Sequence, residues 1–146
     1  MKSEIINLLM TGKFDKAARI LTNTEVIPEG IDNWVYDTSN ITLYCLSASI
    51  LIDKESAEEH AWASYLMAMP LCAYNGAYSL GLYHLRRARA LDPSNLEYKR
   101  FSILYHDIPE QLIKKDEAIQ IAREVLQEDP ECGVSLNVLE RYGLGK

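Results

Sequence analysis

The feature that most constrains the fold is the helical spacing of apolar residues along the chain. Between residues 117 and 127, apolar side chains recur at Ala118, Ile121, Ala122 and Val125, with polar side chains at most positions between them. A repeat near 3.6 residues places these side chains on one face of a helix. The strict alternation that is typical of strands is absent. We therefore predict an all-α protein.

Residues that favour helix starts define the predicted elements. The spacing Ser-x-x-Glu at Ser56 and at Ser94 matches a capping box, in which side chains bond to free backbone N–H groups. Asp129 followed by Pro130 offers a cap and then a proline at the first helical position, where its missing N–H has no cost. We predict about eight helices, at residues 2–11, 14–22, 39–53, 56–69, 76–91, 95–106, 112–128 and 131–142.

The segment Ile41–Ile52, with the sequence ITLYCLSASILI, is apolar on two sides. One predicted stripe contains Ile41, Tyr44, Cys45, Ala48 and Ile52, and the other contains Leu43, Leu46 and Ile50. A helix that is apolar nearly all round is expected to be packed on both sides. The segment is too short to span a bilayer, so we predict no contact with a membrane.

Bulk properties favour a cytoplasmic protein with a single domain, residues 1–146. Of 146 residues, 48% are hydrophobic and 25% are charged, which is ordinary for a globular chain. The N-terminus has no cleavage site of the signal-peptide type. Cys45, Cys72 and Cys132 are odd in number and lack metal-ligand spacing, which favours structural thiols. We predict no metal and no cofactor.

Small residues recur along one predicted helix where bulky core residues are expected. The pattern is Gly76-x-Tyr78-x2-Gly81-x3-Leu85-x2-Ala88-x4-Pro93, and parts of it recur around Ala17 and Ala118. Glycine within a helix costs about 1 kcal/mol relative to alanine, so close packing at Gly81 is expected to offset that cost. The pattern resembles the second half of a tetratricopeptide repeat. This resemblance implies stacked antiparallel helical hairpins.

No sequence motif indicates catalysis. The chain lacks a phosphate-binding glycine loop, a zinc-protease motif and a nucleophile elbow. His60 follows two glutamates, so we expect a solvated imidazole there. His84 and His106 are distant in sequence from clusters of carboxylates. We predict no catalytic residues and no enzymatic activity.

Acidic residues are concentrated between positions 25 and 59. This segment contains eight carboxylates and one Lys, and the net charge of the whole chain is −6. One interpretation is a solvated surface, and the other is a surface that attracts a basic protein. Such a surface would repel the phosphates of a nucleic acid. The candidate partner-binding residues are these acids with two aromatic neighbours: Glu25, Glu29, Asp32, Trp34, Tyr36, Asp37, Asp53, Glu55, Glu58 and Glu59.

A second candidate site is basic. Arg86, Arg87 and Arg89 lie close together in sequence, with Lys99 and Arg100 further along. A groove with Arg86, Arg89 and Arg100 would suit an acidic peptide.

Two functional hypotheses follow. The favoured one is an acidic inhibitor that covers a basic protein; in size and charge the chain is similar to bacterial immunity proteins that neutralise nuclease toxins. The alternative is a tetratricopeptide-like adaptor or co-chaperone with a peptide in its inner groove.

Overall fold

A computed structural model describes residues 1–24 and 26–145, and every regular element in these ranges is helical. The all-α prediction is therefore confirmed. Only Ile103 separates α7 from α8. The ten helical segments are α1 Lys2–Met10, α2 Phe14–Thr24, α3 Ile31–Thr38, α4 Thr42–Asp53, α5 Ala57–Ala68, α6 Ala77–Leu91, α7 Leu96–Ser102, α8 Leu104–Asp107, α9 Lys115–Glu128 and α10 Gly133–Arg141.

One of the three predicted helix caps is confirmed. The Ser56 hydroxyl accepts a hydrogen bond from the Glu59 N–H at the start of α5. The cap of α7 is Asn95 rather than Ser94, because the Asn95 carboxamide accepts from the N–H two residues later. The predicted cap at Asp129 is also wrong, since α10 begins only after Cys132. Short polar side chains at neighbouring positions can compete to accept a hydrogen bond from the same backbone N–H. The local geometry decides which of them binds it.

The short helix α3 is absent from the sequence prediction. It spans eight residues and is preceded by Gly30 at φ 71°, a left-handed conformation that glycine adopts readily. The predicted helix at 39–53 begins later, because the Asn40 carboxamide accepts from the Thr42 N–H at 2.8 Å. Helix α5 ends at Ala68, two residues before Pro70, as the proline predicts.

The helices enclose two apolar clusters that meet at the α5–α6 hairpin. The N-terminal cluster joins α1 to α4 with Leu66 and Met67 of α5 and Ala77 of α6. The C-terminal cluster joins α7 to α10 with Ala68 of α5 and Leu85 of α6. Because both helices of the hairpin contribute to both clusters, they form the centre of the fold.

Gly81 of α6 packs closely against both α5 and α8. A Cβ atom placed there would lie 2.5 Å from the Tyr105 hydroxyl oxygen and 3.3 Å from the Ser64 carbonyl oxygen. Ala17, Ala88 and Ala118 are fully buried as well. Gly81 is therefore a tight helix contact, as predicted, and close packing offsets the low helix propensity of glycine.

The prediction that α4 is packed on both sides is wrong. Leu43, Leu46 and Ile50 are buried against neighbouring helices, but Ile52 is 86% exposed and Ile41 is 37% exposed. Apolar residues all round a short helix therefore do not require a partner on each side within the same chain. Among the described residues, no helix combines the length and apolar character that crossing a bilayer requires.

Candidate functional site

An open groove lies where α2, α4 and the start of α5 meet. Its volume is about 440 Å³. Val26 is 57% exposed and Ile27 is 44% exposed, so apolar surface is open to solvent at the edge of the fold. Two carboxylates and one ammonium group, that of Lys54, stand beside this apolar surface. We call this feature the N-terminal groove, and it is lined by Leu21, Thr22, Val26, Ile27, Ile50, Lys54, Ser56, Glu58, Glu59 and Trp62.

An aromatic stripe extends from the groove along α5. Glu58, Trp62 and Tyr65 follow one another at intervals of four and three residues, which places them on one helix face. The rings of Trp62 and Tyr65 are stacked, with 5.4 Å between centroids. The Tyr65 hydroxyl donates to the Asp32 carboxylate at 3.0 Å. Burial raises the pKa of this hydroxyl, as do Asp32 and the adjacent Tyr36 of α3.

These five residues form what we call the acidic-aromatic surface: Glu58, Trp62 and Tyr65 from α5, with Asp32 and Tyr36 from α3. Glu58 and Tyr65 are seven residues apart, so the surface extends about 10 Å along α5. The sequence prediction contained Asp32, Tyr36 and Glu58 but omitted Trp62 and Tyr65. Their common helix face with Glu58 is a signal that could have identified them.

The structure does not bring the other predicted partner-binding residues together at one site. Trp34 of α3 is half-buried and packs against the N-terminal cluster, whereas Asp37 on the same helix is exposed. Glu29 is exposed in the turn before α3, and Asp53 is exposed at the end of α4. Glu25 lies outside the described residues. Within the described ranges, no Lys, Arg or His lies within 4.0 Å of the carboxylates of Glu29, Asp37, Asp53 or Glu58.

Besides Asp32, two predicted acids have partners within the chain. The Glu59 carboxylate is half-buried and accepts a hydrogen bond from the Ser47 hydroxyl. Burial raises the pKa of Glu59, and the hydrogen bond from Ser47 opposes that rise. Glu55 accepts from the Arg87 guanidinium at 2.7 Å and contacts the His60 ring at 3.0 Å. These bonds lower the pKa of Glu55, with the bond from Arg87 contributing most.

His60 and His84 meet in the interior and are only 4% and 5% exposed, contrary to the expectation of a solvated His60. Their Nδ1 atoms lie 2.9 Å apart. The Tyr44 hydroxyl lies 3.0 Å from Nε2 of His84. This cluster is not predictable from sequence spacing, because its members come from three helices.

One set of proton positions satisfies every contact in this cluster. Glu55 accepts only, so the His60 Nε2–H donates to it and leaves His60 Nδ1 as an acceptor. The His84 Nδ1–H then donates to His60, and His84 Nε2 accepts from the Tyr44 hydroxyl. Burial lowers the pKa of His84 to about 4, with a smaller contribution from the charge of His60.

The third histidine is also fully bonded. Nδ1 of His106 lies 2.8 Å from the Ile113 carbonyl oxygen, and its Nε2 lies 2.7 Å from the Tyr142 hydroxyl. The His106 Nδ1–H therefore donates to the carbonyl, and Nε2 accepts from the phenol. This arrangement joins α8 to the C-terminal end of the chain, and it suits a structural role for the imidazole.

The predicted basic site has carboxylates beside it. Arg86 lies 3.2 Å from Glu117, and Arg100 contacts both Glu97 and Asp129. A hollow of about 340 Å³ is present here, but Lys99 in its wall lies 3.6 Å from Glu124. Arg89 donates to the Ser102 hydroxyl at 3.4 Å. Acids on or next to α9 thus offset much of this positive charge.

Within residues 1–24 and 26–145, no group of three or more His, Cys, Asp or Glu side chains is arranged to hold a metal ion. No protein-family model, curated protein or solved structure matches this chain.

Proposed function

We propose that this chain is a non-catalytic, cytoplasmic protein-binding module that holds a basic protein against the N-terminal groove and the acidic-aromatic surface. In this role it covers the functional surface of its partner, as an inhibitor of the immunity type does. The observation that carries the proposal is the contrast between the charges. Glu58, which belongs to both the groove and the acidic-aromatic surface, has no cationic partner within 4.0 Å among the described residues, whereas Arg86, Lys99 and Arg100 each have a carboxylate partner.

The composition of the surface supports protein binding. Exposed Val26 and Ile27 lie in the same groove as Glu58 and the half-buried Trp62. Apolar and aromatic side chains at the centre of an interface supply most of its affinity, and charges at its edge accelerate association. A basic partner with an apolar ridge fits this arrangement. We propose that Trp62 is the main anchor, because it lines the N-terminal groove and Trp34 does not.

The alternative is an adaptor or co-chaperone of the tetratricopeptide type that binds an acidic peptide near Arg86 and Arg89. The hollow lined by these residues and Pro93 favours that reading. The carboxylates of Glu117 and Glu124 weaken it, because an acidic peptide would have to displace them. We therefore rank this function second. The resemblance to tetratricopeptide repeats remains a proposal.

A fluorescence titration tests the favoured function. In Trp34→Phe, Trp62 is the only tryptophan and reports directly on the groove. We expect an amphipathic peptide of Lys and Leu to shift its emission, and a Glu and Leu peptide of equal length to leave it unchanged. The shift should require higher peptide concentrations as salt increases, because salt screens the attraction over about 8 Å at physiological ionic strength.

Charge-reversal variants locate the site. Glu58→Lys is expected to weaken binding several-fold, whereas Glu131→Lys, at an exposed acid before α10, should change it little. Equal effects of the two variants would indicate attraction to net charge alone and contradict the assigned site. If the Glu and Leu peptide binds instead and Arg89→Glu abolishes that binding, the adaptor function is correct.

A further inference from the structure

Cys132 lies at the start of α10, next to open space. It is the N-terminal cap of this helix, and its side chain belongs to the C-terminal cluster. Only 7% of the residue is exposed, but the residues on either side of it, Glu131 and Gly133, are both exposed. A Cβ atom added to Gly133 would meet no described side chain beyond its two chain neighbours within 4 Å. This gap leaves room for a small reagent beside the thiol.

Three groups beside the Cys132 sulfur favour its ionised form. They are the backbone N–H and the hydroxyl of Ser135 and the guanidinium of Arg100. Burial would raise the pKa of the thiol, but these groups outweigh burial and lower it. Arg100 also contacts the carboxylates of Glu97 and Asp129, which offset part of its charge without reversing this effect. The thiolate is the nucleophilic form of cysteine, and a helix N-terminus with an adjacent guanidinium is typical of reactive thiols.

A buried hydroxyl without a partner lies beside the same sulfur. Ser135 is 0% exposed, and its Oγ atom has no hydrogen-bond partner of normal geometry among the residues that the structure describes. This hydroxyl is nevertheless close enough to the Cys132 sulfur to lower the pKa of the thiol. Because a buried polar atom without a hydrogen bond is unfavourable, it requires an explanation. An oxygen atom bound to the sulfur would give the Ser135 hydroxyl the acceptor that it lacks.

The other two thiols lack this environment. Cys45 and Cys72 are both exposed, but Cys45 lies within α4 and Cys72 lies in the connection between α5 and α6. Neither residue caps a helix, so neither sulfur lies beside the free N–H groups of a helix start. A comparison of Cys72 with Cys132 therefore separates the effect of this environment from the effect of exposure.

We propose that Cys132 is a site of reversible oxidation, at which a peroxide converts the thiol to a sulfenic acid. The oxygen that the peroxide adds to the sulfur accepts a hydrogen bond from the Ser135 hydroxyl, and the charge of Arg100 stabilises the ionised form of the product. Cys132 belongs to the C-terminal cluster and does not line the N-terminal groove. This inference therefore stands independently of the proposed function.

Hydrogen peroxide supplies the oxygen and accepts the electrons in this reaction. The thiolate sulfur attacks one peroxide oxygen, and an S–O bond forms as the O–O bond breaks. The second oxygen leaves as hydroxide and takes up a proton to form water, so the sulfur loses two electrons and the peroxide gains them. An added dithiol such as dithiothreitol reduces the sulfenic acid to the thiol and forms its own disulfide and water.

Trapping of the sulfenic acid with dimedone tests the oxidation. The full chain with Cys45→Ser and Cys72→Ser keeps Cys132 as its one thiol, whereas the chain with Cys45→Ser and Cys132→Ser keeps Cys72. After equal treatment with hydrogen peroxide, mass spectrometry should detect the dimedone adduct several-fold faster in the first chain. Dithiothreitol added before dimedone should prevent the adduct. Equal or slower reaction of the first chain would overturn the proposal.

Variants of the chain that keeps only Cys132 test its environment. Ser135→Ala and Arg100→Gln should each slow the formation of the adduct several-fold, whereas Arg19→Gln, at an exposed arginine of α2, should not change it. Unfolding in urea removes the environment, so Cys132 should then react no faster than Cys72, which also holds if a variant fails to fold. A Cys132 that reacts only after unfolding, or at a rate that both variants leave unchanged, would overturn the proposal and identify a structural thiol.

Discussion

The Nδ1 atoms of His60 and His84 lie 2.9 Å apart in the interior of the protein, and only one of them carries a proton in the neutral state. Burial lowers the pKa of His84 to about 4, and the charge of His60 makes a smaller contribution.

This pair predicts that acid lowers the stability of the fold. An unfolded histidine takes up a proton near pH 6.5, but folded His84 resists protonation until about pH 4. The free energy of unfolding should thus fall by about 2 kcal/mol as the pH drops through this window, a figure that allows for screening by solvent. Urea denaturation at a series of pH values measures the effect.

Substitutions assign the pH effect to this residue. His84→Asn removes the titrating group, so the loss of stability between pH 6.5 and about 4 should shrink. Tyr44→Phe removes a hydrogen bond to His84 but keeps both imidazoles. The stability of this variant should therefore still fall as the pH decreases. A steep acid transition that is unchanged in His84→Asn would contradict the assignment.

Close packing at Gly81 predicts that a single methyl group is harmful. Gly81→Ala places Cβ 2.5 Å from the Tyr105 hydroxyl oxygen, which is itself bonded to Ser64 at 2.8 Å. Overpacking should cost about 1–3 kcal/mol, more than the gain of up to about 1 kcal/mol in helix propensity. The matched control is Gly133→Ala on α10, where no atom lies within 4 Å of the new Cβ. Thermal denaturation should show a lower midpoint for the first variant only.

The Tyr105 hydroxyl gives a second check on this packing. Because the closest atom to the new Cβ is that oxygen, Tyr105→Phe should partly relieve the strain of Gly81→Ala. The double variant should therefore be more stable than the sum of the two single effects predicts. Strict additivity would show that the Ser64 backbone, not the phenol, limits the space.

The half-buried carboxylate of Glu59 predicts a stabilising substitution. Its pKa is raised in the folded state, so its ionised form lowers stability progressively as the pH rises above the ordinary value of 4.5. Glu59→Gln keeps an acceptor for the Ser47 hydroxyl and removes the charge. We expect a higher free energy of unfolding at neutral pH in urea titrations. Glu58→Gln, at the exposed neighbour, should change stability by less than about 0.5 kcal/mol.

The cap at the start of α7 predicts that alanine substitutions at the adjacent residues Ser94 and Asn95 have unequal effects on stability. Asn95→Ala removes the carboxamide that accepts from the Glu97 N–H, which should cost about 0.5–2 kcal/mol. Ser94→Ala removes only an exposed bond to Asp92 and should cost much less. Chemical denaturation compares the two variants. A larger loss of stability in Ser94→Ala than in Asn95→Ala would show that Ser94 is the cap, as the sequence pattern predicts.

Local features of the sequence were sufficient to predict most of the helices and their tight contacts. The burial of Ala118 and Ala122, the end of α5 before Pro70 and the cap at Ser56 all depend on residues within a turn or two of one another. Interactions over that distance depend on backbone geometry that is the same in every helix. For the same reason Gly81 could be identified as a close contact from its cost to the helix alone.

The tertiary structure alone decided which side chains meet. His60 and His84 are 24 residues apart, and Arg100 and Asp129 are 29 apart. Their contacts depend on the register between helices, which reflects the packing of both apolar clusters at once. The same packing left one face of α4 exposed, buried the carboxylate of Glu59 and placed Trp62 in a groove. Composition and spacing are local properties, whereas exposure and pairing depend on how distant helices fit together.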